Sequence, residues 1–279
     1  AAASVSFMDL SVEAEAFGST VVVSDDEVPT VVGSVVDEDT DPAGLAVPEV
    51  GAGRTGLYVQ AIREVAPKIA DRPVLAGVIG PFSLAGRLAD VSEVMVLLYE
   101  EPELVHAVLD KCTEFICAYA AAFKEAGADG VVMAEPLAGL LSPELMAEFS
   151  TPYARRIVDA VQDGSFAVVY HNCGPSVSKA PEAVAAVGAM GYHFGNASDM
   201  AEMLGLMPSD ALVMGNVDPA GQIRNGTPES VREATLALME SCSKYPNFIP
   251  STGCDVPPMS PWENIDAFFA AVDEFYEGK

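Results

Sequence analysis

Short apolar runs of strand length recur along the chain, and longer amphipathic patterns separate most of them. The runs are "SVSFM" (4–8), "VLAGVI" (74–79), "GVVMA" (130–134), "FAVVYH" (166–171), "MGYHF" (190–194), "ALVMG" (211–215) and "NFIPS" (247–251). Near-continuous apolar strands suit a sheet buried on both faces, and intervening helices provide the parallel crossovers that bury it. The clearest helix is "EPELVHAVLDKCTEFICAYAAAFKEAGADG". It has an acidic first turn, apolar residues three and four apart, and Gly127 to end it. "SPELM" (142–146) and "TPESV" (227–231) each place a hydroxyl before a proline, which suits a helix N-cap and first turn.

This rhythm predicts an α/β protein of the (β/α)8 TIM-barrel type, built as one domain over residues 1–279. An open doubly wound sheet is the alternative, but no glycine-rich dinucleotide fingerprint follows any strand. The strand count falls one short of eight, so the first strand and its helices are expected upstream of Ala1. Residues 20–53 are acidic, β-branched and punctuated by Pro and Gly. They predict a hairpin and loop insertion beside the barrel mouth.

Charge narrows the choice of partners. Lys plus Arg number 14 against 41 Asp plus Glu, a formal net charge of −27. Nucleic acid and anionic membrane surfaces need clustered cations and are therefore poor partners. No apolar run approaches the roughly 20 residues that span a bilayer. The 5 cysteines are odd in number and lack the spacing of a secreted disulfide framework, which predicts a cytoplasmic location.

Two of the apolar runs end in soft ligand types: "YHNCG" carries His171 and Cys173, and "TGCD" carries Cys254. Residues two apart on a strand share a face, and strand C-termini in a barrel share one mouth. The three side chains would then meet. An imidazole with two thiolates suits Zn2+, and three protein ligands leave the fourth position open, as in a catalytic site. The competing reading makes them ordinary core residues. Cys112, Cys117, Cys242, His106 and His193 are read as packing residues. Acids also follow the inferred strand ends: Asp9, Glu13, Glu15, Glu135 and Asp218. Glu135 is the candidate for a weak fourth ligand that an incoming thiol displaces.

The motifs "FMDLSVEAEAFG", "GPFSLAGRL", "GADGVVMAEPLAG", "YHNCG", "GNVDP" and "STGCDVPPMSPWENIDAF" resemble the uroporphyrinogen decarboxylase superfamily. The pair "HNCG" and "TGCD" more narrowly resembles its zinc-containing branch, the methylcobamide:thiol (coenzyme M) methyltransferases. That resemblance implies zinc on His171, Cys173 and Cys254. It also implies a methylated corrinoid as methyl donor, a small thiol as acceptor, and a separate corrinoid carrier protein. Asn216 and Asp218, in the shared "GNVDP", are expected at the cofactor. Asp9 falls where the decarboxylases carry an essential aspartate that holds the pyrrole nitrogens. Uroporphyrinogen decarboxylation, a step of heme biosynthesis, is therefore the alternative. Two features weigh against it. The decarboxylases resemble Gly-His-Gly where this chain has Gly253-Cys254-Asp255, and a substrate rich in carboxylates suits an acidic chain poorly.

Overall fold

The structure is a computed structural model, and it describes residues 1–25 and 28–277. Its strands are β1 (Ser4–Val5), β2 (Thr20–Val22), β3 (Thr30–Val32), β4 (Val74–Ile79), β5 (Gly130–Ala134), β6 (Ala167–Asn172), β7 (Gly191–Phe194), β8 (Leu212–Val217) and β9 (Phe248–Thr252). All seven apolar runs enter one parallel sheet, in the order β1-β4-β5-β6-β7-β8-β9. The class is thus α/β with a curled parallel sheet. Among the described residues β1 pairs only with β4 and β9 only with β8, and no eighth strand joins them.

The first run contributes less than expected. Only Ser4 and Val5 join the ladder; Ser6 Oγ then accepts from the Gly77 N–H at 3.0 Å, and Phe7 turns out to 89% exposure. Residues 20–53 form the expected excursion. β2 and β3 pair antiparallel as a separate ribbon. The segment is tethered at Val36, which is buried and, with Val35, donates its N–H to the Leu88 carbonyl.

The helices are α1 (Val12–Ala16), α2 (Thr55–Val65), α3 (Pro81–Ala89), α4 (Val91–Glu100), α5 (Pro102–Glu125), α6 (Pro143–Phe149), α7 (Thr151–Val161), α8 (Pro181–Ala185), α9 (Met200–Leu206), α10 (Pro228–Cys242) and α11 (Trp262–Glu277). The long amphipathic run is α5, and Gly127 lies just past its end at φ +97°. Ser142 Oγ caps α6, and Thr227 with Ser230 forms a capping box on α10. The stretch after Ser142 breaks into two helices at Ser150, because Pro152 has no N–H with which to continue the ladder. A large apolar core lies between sheet and helices and draws on nearly every one of these elements. Among the described residues no helix is long and apolar enough to cross a membrane.

Candidate metal centre

The end of β6 is shaped by the residue between the two expected ligands. Asn172 is fully buried; its Oδ1 accepts from the Gly174 N–H at 3.0 Å and its Nδ2 donates to Tyr170 Oη at 3.2 Å. This Asx bond turns the chain sharply after the strand and leaves Cys173 beside His171. Two glycines allow neighbouring loops to close in. A Cβ on Gly195 would lie 2.7 Å from Cys173 Cα, and one on Gly253 would lie 2.5 Å from the Asn196 nitrogen. At the end of β9, Thr252 Oγ1 donates to the Cys254 carbonyl at 2.8 Å and fixes the second ligand loop.

The three donors do meet. His171 Nε2, Cys173 Sγ and Cys254 Sγ all lie within 4.8 Å of one another. Cys254 Sγ is 3.7 Å from His171 Nε2 and 4.0 Å from Cys173 Sγ. A tetrahedral zinc with ordinary Zn–S and Zn–N bonds requires edges of about 3.8 Å for S···S and about 3.6 Å for S···N. The donor set therefore fits such an ion in both chemistry and spacing. His171 is buried and the two cysteines are half-buried, so one side remains open. The Cys173 thiol, hydrogen-bonded to Cys254, and then His171 lower the proton affinity of Cys254, while Cys173 holds its proton more tightly. Asp255, which the sequence reading passed over, is pushed up by burial and by the neighbouring Cys254.

His193 is also part of this cluster, although its pattern in the strand suggested packing. It stands opposite His171 in the β6–β7 register. Its Nδ1 is 2.6 Å from His171 Nδ1, and its Nε2 is 2.8 Å from the Thr252 carbonyl oxygen and 3.3 Å from Ser251 Oγ. Burial, and then the nearby His171, pushes His193 down to about 3 and keeps it neutral. His106 lies elsewhere, stacked on Phe149 at 4.5 Å, and Cys112 and Cys242 are buried packing residues as read.

Among the described residues no carboxylate joins the three-donor group. Glu135, the expected fourth ligand, lies outside the three-donor group. Its carboxylate is fully buried and accepts from the backbone N–H of Phe82 at 3.0 Å and of Ser83 at 2.6 Å, at the start of α3. Burial pushes it up to about 7, against the hydrogen bonds from Ser83 and Phe82. Glu13 behaves similarly, with Oε1 accepting from the Ile79 N–H at 2.9 Å. Asp9, placed by the resemblance where the decarboxylases carry an aspartate that holds pyrrole nitrogens, is engaged within its own loop. It pairs with Arg54 and accepts from the Ser11 N–H and hydroxyl at 3.0 and 2.6 Å; Arg54 also holds Glu15 at 2.6 Å. Burial raises Asp9, but the Ser11 and Arg54 hydrogen bonds outweigh it and the net shift is downward. Asn216 Nδ2 donates to the Gly195 and Ser198 carbonyls at 3.0 and 2.7 Å, and Asp218 caps the turn at Ala220 and Gly221 at 2.9 Å. Both "GNVDP" residues thus shape the loops with one end of their side chains.

A parallel α/β fold with an imidazole and two thiols at its C-terminal strand ends defines a protein with a three-ligand site at the mouth of its sheet. The chain belongs to the uroporphyrinogen decarboxylase (URO-D) family, whose model matches residues 2–275. It is 31% identical over 261 residues to the methylcobamide:CoM methyltransferase MtbA of Methanosarcina acetivorans, covering 92% of this chain and 75% of that protein. A uroporphyrinogen decarboxylase of Paraburkholderia phytofirmans is 29% identical over 281 residues, covering 94% and 75%. A solved methyltransferase structure from Methanosarcina mazei matches with a TM-score of 0.88 at 28% identity, covering 99% of this chain and 81% of that one. Identity alone separates the two activities poorly, so the site residues must decide between them.

Proposed function

We propose that this chain is a zinc-dependent methyltransferase that moves a methyl group from a methylated corrinoid to a small thiol such as coenzyme M. The observation that carries this reading is the spacing of His171 Nε2, Cys173 Sγ and Cys254 Sγ. Relatives named as methylcobamide:CoM methyltransferases support the substrates.

Zinc, when bound, supplies the Lewis acidity that keeps a substrate sulfur in its nucleophilic thiolate form near neutral pH. The protein's own residues prepare the place for it. Cys254 gives up its proton readily, His171 offers an imidazole nitrogen, and Asn172 with Gly195 fixes Cys173 beside them. In the transfer the thiolate sulfur gains the methyl group as the cobalt–carbon bond breaks, and the electron pair stays on cobalt. The thiol proton goes to solvent. No general acid is required, which accords with Asp9 and Glu135 both being engaged elsewhere. The remaining parts of the reading are a TIM-type barrel forming one domain over 1–279, the 20–53 hairpin as an insertion, a separate corrinoid carrier protein at the mouth, and a cytoplasmic location.

The decarboxylase alternative needs Asp9 free to hold pyrrole nitrogens, and Asp9 is instead tied to Arg54 and Ser11. Metal analysis with a two-substrate assay tests the choice. The expected result is about one zinc per chain and methylation of coenzyme M by free methylcobalamin. Zinc-free protein that decarboxylates uroporphyrinogen would overturn it.

A further inference from the structure

The hydrogen bonds around His193 determine where each ring proton sits. The Thr252 carbonyl oxygen can only accept, so its 2.8 Å contact requires a proton on His193 Nε2. The two Nδ1 atoms of His193 and His171 are 2.6 Å apart, and only one proton fits between them. His171 Nδ1 also lies 3.2 Å from the His193 carbonyl oxygen, which can only accept, so the shared proton belongs to His171. The lone pair of the His171 ring is therefore on Nε2, the atom 3.7 Å from Cys254 Sγ.

We infer that His193 is a positioning residue for the metal centre: through its ring it locks His171 in the tautomer that presents Nε2 to the two thiols. Ligating histidines commonly use the other ring nitrogen in this way, with a carboxylate or a carbonyl as partner. Here a second imidazole takes that place and passes the hydrogen bond on to a carbonyl. The relay also links two distant parts of the sheet. β6 carries His171 and β9 leads to Cys254, and β7 and β8 lie between them. His193, on β7, reaches both, and Thr252 holds the Cys254 carbonyl through its own hydroxyl. One side chain thus ties together the two ligand-bearing strand ends.

This inference rests on the zinc reading above, and the tests separate the two. The chain has 3 histidines, so 15N-histidine labelling gives a simple ring spectrum. In the full chain freed of metal, His171 is expected as the Nδ1–H tautomer and His193 as the Nε2–H tautomer. A His171 ring protonated on Nε2 would overturn the assignment whatever the metal result. Chelator competition then measures zinc affinity. His193→Phe should weaken it roughly 10- to 100-fold. His193→Asn, whose oxygen can still accept from His171, should stay within a few-fold of the parent. Equal affinity in parent and His193→Phe, or equal losses in both variants, would refute the positioning role while leaving the zinc site standing. A parent chain that binds no zinc would sink the zinc reading and this role with it.

Discussion

Cys254 Sγ stands 3.7 Å from His171 Nε2 although 83 positions separate the two residues in the chain. The contact is made by strand ends, not by a local motif, and the site lies at the edge of the core. Cys254→Ala should therefore abolish most zinc binding while leaving the fold intact. Elemental analysis and thermal unfolding check this together: little zinc, with a stability change of about 1 kcal/mol or less. Full zinc occupancy in the variant would remove Cys254 from the site.

Glu13 predicts how stability depends on pH. It is buried, its Oε2 has no hydrogen-bond partner, and burial pushes it from 4.5 up to about 7. A carboxyl with a raised folded-state value binds its proton more tightly when folded. Its contribution is complete below about 4.5 and is lost as pH rises through about 7, on the order of 3 kcal/mol in all. Glu135 acts with the same sign. Urea unfolding at pH 5 and pH 8 should show Glu13→Gln closing part of the gap seen in the parent. Parallel gaps in the two proteins would show that Glu13 does not titrate in this range.

Asp9 distinguishes the two family activities. It accepts from Arg54, the Ser11 N–H and the Ser11 hydroxyl, bonds that organise the loop after β1. Asp9→Asn should leave kcat/KM for thiol methylation within a few-fold and cost about 1 kcal/mol of stability, since Arg54 keeps Glu15. A fall of more than about 100-fold in kcat, roughly 2.7 kcal/mol of transition-state stabilisation, with stability unchanged, would make Asp9 catalytic.

The pattern of what could be read in advance has physical causes. Val74–Ile79 and Gly130–Ala134 were legible because apolar runs flanked by Pro, Gly and Asp leave few alternatives to a buried strand. The donor set was legible because strand ends in parallel α/β folds converge on one side, whatever the intervening length. His193 was not, since its partner is set by the β6–β7 register, which periodicity within one strand does not reveal. The available signal was a histidine in each of two consecutive strands. The acids are ambiguous in the sequence for a related reason. A carboxylate after a strand can face the mouth or cap a neighbouring helix, and the amides it caps lie far away in sequence.

Glu135 puts that ambiguity to the test. As a fourth ligand it would sit among the thiols, and as a helix anchor it would sit at the start of α3. The structure puts both of its oxygens on backbone amides, one on Phe82 and one on Ser83. A carboxylate there also faces the positive end of the α3 dipole. Glu135→Gln keeps the shape but replaces one acceptor with an NH2 group, which cannot accept from a backbone amide. The variant should therefore keep its zinc and its affinity for the thiol, and lose about 1–3 kcal/mol of stability from the stranded amide. Because burial holds this carboxyl up to about 7, the parent loses part of its stability as pH rises through that value and the glutamine variant does not, so the difference between them should be largest at low pH and shrink towards pH 8. Zinc stoichiometry, thiol titration and urea unfolding on one preparation decide the matter. A variant that loses zinc or changes its thiol affinity while unfolding at the parent's urea midpoint would return Glu135 to the metal.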